Sequence, residues 1–274
     1  MMRVGYQGEA FSYSWRAVGE MFPDAEMVGL HGFAEAFQAL DDGRVDRLVL
    51  PVENSTTGSV LPVLDRLPGN AAHDPIAIVG EHLVEVRHAL LGLPGADLTA
   101  VRSVLSHPEA LAQAEATLLA LGIQSIARAD TAGAVREVVA RADPAVAGLA
   151  PAEAGIAHGL VVLGPEVMDR EHNTTRFVVL APGVPEIGPD DDKTTIVFTA
   201  AHHPGALALA LTELGLRGAN LTRIESRPSG EAWTYRFFVD LVHAPGPAGL
   251  SAVLDPPPAT LAHLQVLGSY VSAR

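Results

Sequence analysis

Two stretches of the chain concentrate hydrogen-bonding side chains beside an apolar strand. "REHNTTRFVVLAP", residues 170–182, places Asn173, Thr174, Thr175 and Arg176 where a polar loop runs into the strand. "PVENSTTGSV", residues 51–60, places Glu53, Asn54, Ser55, Thr56 and Thr57 directly after an apolar run ending at Leu50. Hydroxyls and amides are neutral donors, and arginine is a permanent cation with a planar fork of donors. Such a set can hold an anionic substrate. Plainer readings compete. Ser55 or Thr56 can cap a helix running through "SVLPVLDRL", although one cap needs one such residue and not five. "NTTRF" can equally be a β-branched strand start with a surface arginine.

Other chemistries find less in the sequence. The chain has no cysteine, which excludes a disulfide framework, cysteine-ligated zinc and a cysteine nucleophile. The "DDD" run at 190–192 reads as solvated charge in a linker, and His202 and His203 lack partners at ligand spacing, so no metal is expected. No GxGxxG, Walker loop or GxSxG occurs. A formal net charge of −14 argues against nucleic acid, whose phosphates need neutralising cations. The N-terminus lacks the apolar core of a signal peptide, and no apolar run approaches roughly 18 residues, so no membrane span is expected. The plain expectation is a cytoplasmic protein.

These residues need elements to carry them. The N-terminal part alternates strand and helix signals. "MRVGYQ" reads as a strand. "GFAEAFQALDDG" sets Phe33, Ala36, Phe37 and Leu40 on one helical face, and "VDRLVLP" reads as a buried strand ended by Pro51. "HPEALAQAEATLLALG" reads as one helix closed by Gly122, followed by the strand "IQSIARA". Asp130 and Thr131 offer caps for "AGAVREVVARA", and "AVAGLAP" and "TRFVVLA" are further strands. That alternation predicts an α/β architecture with mostly parallel strands, whose carboxyl ends bind ligands. "APGVPEIGPDDD" is a linker by composition. Beyond it, "KTTIVFTA", "PGALALALTELGLRG", "ANLTRIESRP", "EAWTYRFFVDLVH", "PAGLSAVLD" and "HLQVLGSYV" give the ferredoxin-like order βαββαβ. "DPPPAT" interrupts the second helix of this part, which is expected to be short.

Taken in order, "PVENSTTGSV", "SHPEALAQ", "DREHNTTRFVVL", "PGALALAL", "IESRP" and "VLGSY" resemble the motifs of the prephenate dehydratase family with a following ACT regulatory domain. The resemblance covers essentially the whole chain. It is to the monofunctional form, because no chorismate mutase segment precedes the first strand. It implies a two-lobed catalytic domain like type II periplasmic binding proteins over residues 1–181, a linker at 182–192 and a ferredoxin-like ACT domain at 193–274. Two crossings between the lobes would fall near residues 80–92 and 161–177.

The implied reaction is loss of carbon dioxide and water from prephenate to give phenylpyruvate. No cofactor is needed, because aromatisation drives it. Thr175 would be the key catalytic residue, donating to the leaving hydroxyl, and Arg176 would bind a substrate carboxylate. Asn54, Ser55 and Thr56 would add donors, and Glu53 would orient them or relay a proton. Ser12, Thr131, Ala132, Asn173, Thr174 and Phe177 complete the implied substrate site. Thr131 and Ala132 would act through backbone amides at a helix N-terminus.

In the ACT domain the resemblance implies an allosteric L-phenylalanine site at Gly205, Ala206, Leu207, Asn220, Glu225, Ser226, Arg227 and Pro228. The assembly would be a homodimer or homotetramer through ACT and catalytic domains. Two departures stand out. "YQGEAFSYSW" keeps Gly8, Phe11 and Ser12 but is about two residues short, and Glu109 stands where the family usually has an amide. The aminated analogue arogenate is an alternative substrate, and a non-catalytic amino-acid sensor of the same architecture is an alternative of another class.

Overall fold

The computed structural model describes residues 1–69, 75–230 and 232–273. Glu231, the first residue of the "EAWTYRFFVDLVH" stretch, and Arg274, the last of the expected ACT domain, lie outside the described residues. The first lobe comprises β1 (Arg3–Gln7), α1 (Tyr13–Met21), β2 (Glu26–Leu30), α2 (Phe33–Asp41), β3 (Arg47–Asn54), the two-residue β4 (Gly58–Ser59), α3 (Leu61–Leu64) and β5 (Ile76–Glu85). The chain then crosses to a second lobe. This holds β6 (Ala89–Gly92), a single 3-10 turn (Leu98–Ala100), β7 (Ser103–Ser106), α4 (Pro108–Ala112), α5 (Glu115–Ala120), β8 (Gln124–Ala127), α6 (Thr131–Arg141), β9 (Val146–Ala150), α7 (Ala152–Ala157) and β10 (Val161–Gly164). It returns to the first lobe as β11 (Thr174–Pro182). The C-terminal unit is β12 (Lys193–Ala200), α8 (Ala206–Leu216), β13 (Asn220–Pro228), β14 (Tyr235–Val242), α9 (Gly246–Leu254) and β15 (Leu261–Tyr270), in the order βαββαβ.

The second lobe has its own five-stranded sheet, β10-β6-β9-β7-β8. The first lobe and the C-terminal unit share the other sheet, in the order β13-β14-β12-β15-β5-β11-β3-β1-β2. The seam between them is narrow. β15 meets β5 in a single parallel pair, Gly268 opposite Ile78. A Cβ at Gly268 would lie 2.0 Å from the Ile78 carbonyl oxygen, so only glycine permits this approach. The C-terminal unit is therefore not a bead on a linker. Val197, Phe238, Leu267 and Tyr270 join Leu48, Leu50, Val178 and Leu180 of the first lobe in one apolar core. The opposite face of its sheet packs on α8 and α9 through Ile196, Phe198, Leu214 and Val253. Within the linker, Asp191 accepts the Gly188 amide and Asp192 the Ser272 amide, so two of the three carboxylates hold backbone.

Three expectations change. The sheets of the two lobes are mixed and not mostly parallel, because the strands that cross between the lobes run antiparallel to their neighbours: β11 pairs antiparallel with β3 and β5, and β6 with β9 and β10, while β1–β2, β1–β3, β7–β8 and β7–β9 are parallel. Pro51 does not end β3. It needs no donor where it pairs with Phe177, at an irregularity of the β3–β11 ladder, and the strand continues to Asn54. The helix expected from His107 to Leu121 is two helices, α4 and α5, with Gln113 capping the first. Asp169 imposes the break from a distance: its carboxylate accepts the Ala116 and Thr117 amides and so caps a new helix there. α9 stops at Leu254, as the prolines after it require.

Candidate active site

β11 and β3 are antiparallel neighbours, with Thr175 opposite Asn54 and Arg176 opposite Glu53. The two motifs thus lie side by side on one lobe, and do not face each other from two loops. Side chains alternate along a strand, so each motif has two faces. Thr175, Phe177 and Asn54 line a cleft of about 700 Å³ between the lobes. The second lobe contributes His107, Glu109, Gln113, Thr131 and Ala132, and the loop after β1 contributes Gly8, Glu9 and Ser12.

Asn54 organises the cleft face. Its Oδ1 accepts from the Thr56 hydroxyl at 2.6 Å and from the amides of Thr56 and Thr57, which shapes the turn after β3. Its Nδ2 donates to Asn173 Oδ1 at 2.7 Å and to Thr175 Oγ1 at 2.9 Å. Because the Thr175 oxygen accepts from Asn54, its own hydrogen is left to point elsewhere. Buried Asn173 donates to Gln113 Oε1 at 2.9 Å, and Gln113 Nε2 reaches Thr56 Oγ1 at 3.2 Å. Gln113 therefore ties the second lobe to the threonine through amides alone. Ser55 serves the backbone: its Oγ accepts the Thr174 amide at 2.9 Å, which clasps the ends of both strands.

Arg176 and Glu53 require correction. Neither lines the cleft. Arg176 points the other way and is buried, with Nη2 2.6 Å from Asp240 of β14, Nη1 3.1 Å from Glu81 of β5 and Nε 3.2 Å from Glu53. Burial opposes its charge, but Asp240, with Tyr270, Glu81 and Glu53, raises its pKa overall. The strand pleat is the physical reason: with Thr175 aimed at the cleft, its neighbour must face the C-terminal unit. Glu53 goes with it, between Arg176 and Arg223. Among the described residues, none that lines the cleft is arginine or lysine.

The loop after β1, although short, spans both lobes. Glu9 pairs with Arg136 of α6. Phe11, at φ +67°, packs against the second-lobe core and meets the His158 ring edge-on. Ser12 accepts the Trp15 amide and caps α1. Thr131 and Ala132 open α6, whose N-cap Asp130 accepts the Gly133 amide. Ahead of Gly133, the Thr131 and Ala132 amides have no intrahelical partner, and a helix N-terminus favours an anion.

Sequence reasoning missed Gln113, although it is the last letter of "SHPEALAQ". It also missed the pair Tyr13 and His88. Tyr13 donates to the Arg87 carbonyl at 2.6 Å and lies 3.3 Å from His88 Nδ1. Burial pulls the His88 pKa down to about 4, so the imidazole is neutral near pH 7.

The residues expected to bind phenylalanine divide between two faces. Gly205 caps α8 at φ +81°, Ala206 is buried and Leu207 packs in the helix-side core. Asn220 begins β13 and Pro228 ends it. Glu225 and Arg227 are engaged with the first lobe. Glu225 accepts from Ser59, which also accepts from Arg223, and Arg227 forks onto Asp65 at 2.7 and 2.9 Å. Ser226 alternates with them and faces the opposite side.

The comparisons agree with this architecture. The family model described as prephenate dehydratase matches residues 4–183, and that of the ACT domain matches residues 194–255. Arogenate dehydratase/prephenate dehydratase 2, chloroplastic, of Arabidopsis thaliana is 38% identical over 284 residues, which are 98% of this chain and 72% of the relative. Arogenate dehydratase 2 of Petunia hybrida is 40% identical over 83% of this chain and 57% of its own length. The chain thus spans between half and three quarters of these plant proteins. A prephenate dehydratase from Arthrobacter aurescens, solved in complex with L-Phe, superposes with a TM-score of 0.85 at 27% identity, covering 99% of this chain and 90% of its own. A structure titled as GqqA, a novel type of quorum quenching acylases, gives 0.85 at 31% identity, covering 99% and 98%.

Proposed function

This chain belongs to the prephenate dehydratase family, and from that premise we propose that its cleft converts prephenate to phenylpyruvate with Thr175 as the catalytic donor. The observation that carries this is the Thr175 hydroxyl in the cleft, accepting from Asn54 and so free to donate to substrate. In the reaction the bond from the ring to its carboxylate breaks and releases carbon dioxide. Its electron pair enters the ring, and the carbon–oxygen bond to the ring hydroxyl breaks. Charge builds on the departing oxygen, which leaves as hydroxide and takes a proton from solvent to become water, and a fixed neutral donor stabilises the charge as it forms. A threonine is too weak an acid to give up its proton freely near pH 7, so orientation is its contribution. With no arginine lining the cleft among the described residues, the α6 amides of Thr131 and Ala132 are the proposed anion-binding groups.

Thr175→Ala tests the reading. Its kcat should fall roughly 10²–10³-fold with substrate binding kept, as for loss of one oriented donor. Near-normal turnover would refute it, and would return the amino-acid sensor to consideration.

A second reading concerns the substrate. The carboxylates of Glu109 and Asp130, with Glu9 already paired to Arg136, line a cleft in which no described residue is arginine or lysine, and this favours the ammonium group of arogenate over the keto group of prephenate. Comparing kcat/KM on the two purified substrates decides between them.

L-Phenylalanine is the proposed effector of the ACT domain, supported by the L-Phe complex of the Arthrobacter relative and by the open N-terminus of the eleven-residue α8. Substituting Gly205 or Ser226 should weaken inhibition and spare basal turnover; full sensitivity in both variants would move the site elsewhere. Apolar Leu209, Leu216 and Ile224 are exposed on the ACT domain, in keeping with a homo-oligomer through that surface. No helix among the described residues is long and apolar enough to cross a membrane, and the cytoplasm is the proposed location.

A further inference from the structure

We propose that Asp240, a residue of the ACT domain, and Glu81 are positioning residues for Thr175, acting through Arg176. Thr175 and Arg176 are consecutive on β11 and their side chains leave opposite faces of the sheet. Whatever fixes the guanidinium therefore fixes the strand segment that aims the hydroxyl. The β3–β11 register shifts between Arg176 and Phe177, so the ladder is irregular at this point. A bulge re-aims side chains, and its direction must be held by other contacts.

Those contacts are buried and charged. Asp240 is 1% exposed, Glu81 7%, and Arg176 and Lys193 8% each. Asp240 Oδ2 accepts from Arg176 at 2.6 Å, and its Oδ1 accepts from Thr195 at 2.7 Å. Glu81 accepts from Arg176 at 3.1 Å and binds Lys193 through both oxygens, at 2.8 and 2.9 Å. Lys193 is the chain's single lysine, and it is spent here. Thr195 in turn meets Tyr270 at 2.7 Å. Glu53 extends the same logic to Asn54, its neighbour on β3, because it pairs with Arg176 on the far face. Both residues that act in the cleft are thus backed by residues locked into the ACT domain.

A buried ion cluster of this kind adds little net stability over apolar packing, but it fixes geometry. That is the contribution an oriented donor needs, since small displacements of reacting groups cost large factors in rate. The inference rests on Thr175 being the catalytic donor.

The test is a double-mutant cycle in the full-length chain, with kcat and KM read separately and melting followed in parallel. Asp240→Asn keeps shape and removes charge. It should lower kcat about tenfold with KM within about twofold. In the Thr175→Ala background the same substitution should cost almost nothing further, because its effect passes through the hydroxyl. Thr195→Val, which releases Asp240 without removing its charge, is the milder variant should Asp240→Asn not fold, and should lower kcat in the same way to a smaller extent. Wild-type kcat in folded Asp240→Asn, or an equal loss with and without the Thr175 hydroxyl, overturns the proposal. Undiminished turnover in Thr175→Ala alone overturns the catalytic reading instead.

Discussion

The two faces of β3 and β11 differ in chemistry. On the cleft face Asn54, Asn173, Thr175 and Gln113 are neutral and joined by amide and hydroxyl hydrogen bonds. On the ACT face Arg176, Glu81, Asp240, Lys193 and Glu53 are charged and paired. The difference assigns the work. On the first-lobe wall of the cleft the donors are neutral, so charge developing beside Thr175 would meet small, oriented dipoles, while the carboxylates Glu109 and Asp130 stand on the second-lobe side. Charged residues do the fastening, where burial and multiple partners hold them in one arrangement.

Four predictions probe that contrast. The largest effect lies on the charged face. Arg176→Gln leaves Glu81 and Asp240 without their shared cation, and should cost roughly 3–5 kcal/mol in denaturant unfolding. A change below about 1 kcal/mol would mean the cluster is relaxed in solution.

On the cleft side, His88 is held neutral, its pKa down at about 4 against an ordinary 6.5. The unfolded chain binds the extra proton first as pH falls. The stabilisation is therefore complete above about pH 6.5 and is lost as pH drops towards about 4, for about 3 kcal/mol in all. His88→Gln should flatten the stability profile across that window, measured by chemical denaturation at stepped pH; an unchanged slope would assign the acid sensitivity to other groups.

At the seam, Gly268→Ala should destabilise by about 1–3 kcal/mol, because its Cβ would collide with the Ile78 carbonyl. Differential scanning calorimetry would show it, and an unshifted transition would mean that the β15–β5 pair is dispensable. The smallest effect belongs to Asp65→Asn. Its fork with Arg227 is partly exposed and worth at most about 1 kcal/mol, so basal stability should barely move. A large loss would show the charged face extending further than the buried cluster.

Much of this could be read in the sequence, and the failures share a cause. Period and caps gave α2, α6, β8, β9 and the βαββαβ order, because those signals are local. Gln113 was hidden because no glycine or proline marks the break between α4 and α5; the cap comes from Asp169, which is distant in sequence. The resemblance implies a substrate role for Arg176, and nothing local speaks against it, because its carboxylate partners Glu81 and Asp240 lie 95 residues before and 64 after it. The strand period alone sets Arg176 opposite Thr175 and Phe177. What it does not reveal is that a second domain, and not solvent, waits on that side.

The central claim is that two consecutive residues do separate jobs, and it is tested most directly by measuring turnover and melting together on Thr175→Val. The account predicts a kcat loss of roughly 10² or more, with a melting temperature within about 3 °C of the parent. Retained turnover would contradict it. So would a loss accompanied by a melting shift as large as that of Arg176→Gln.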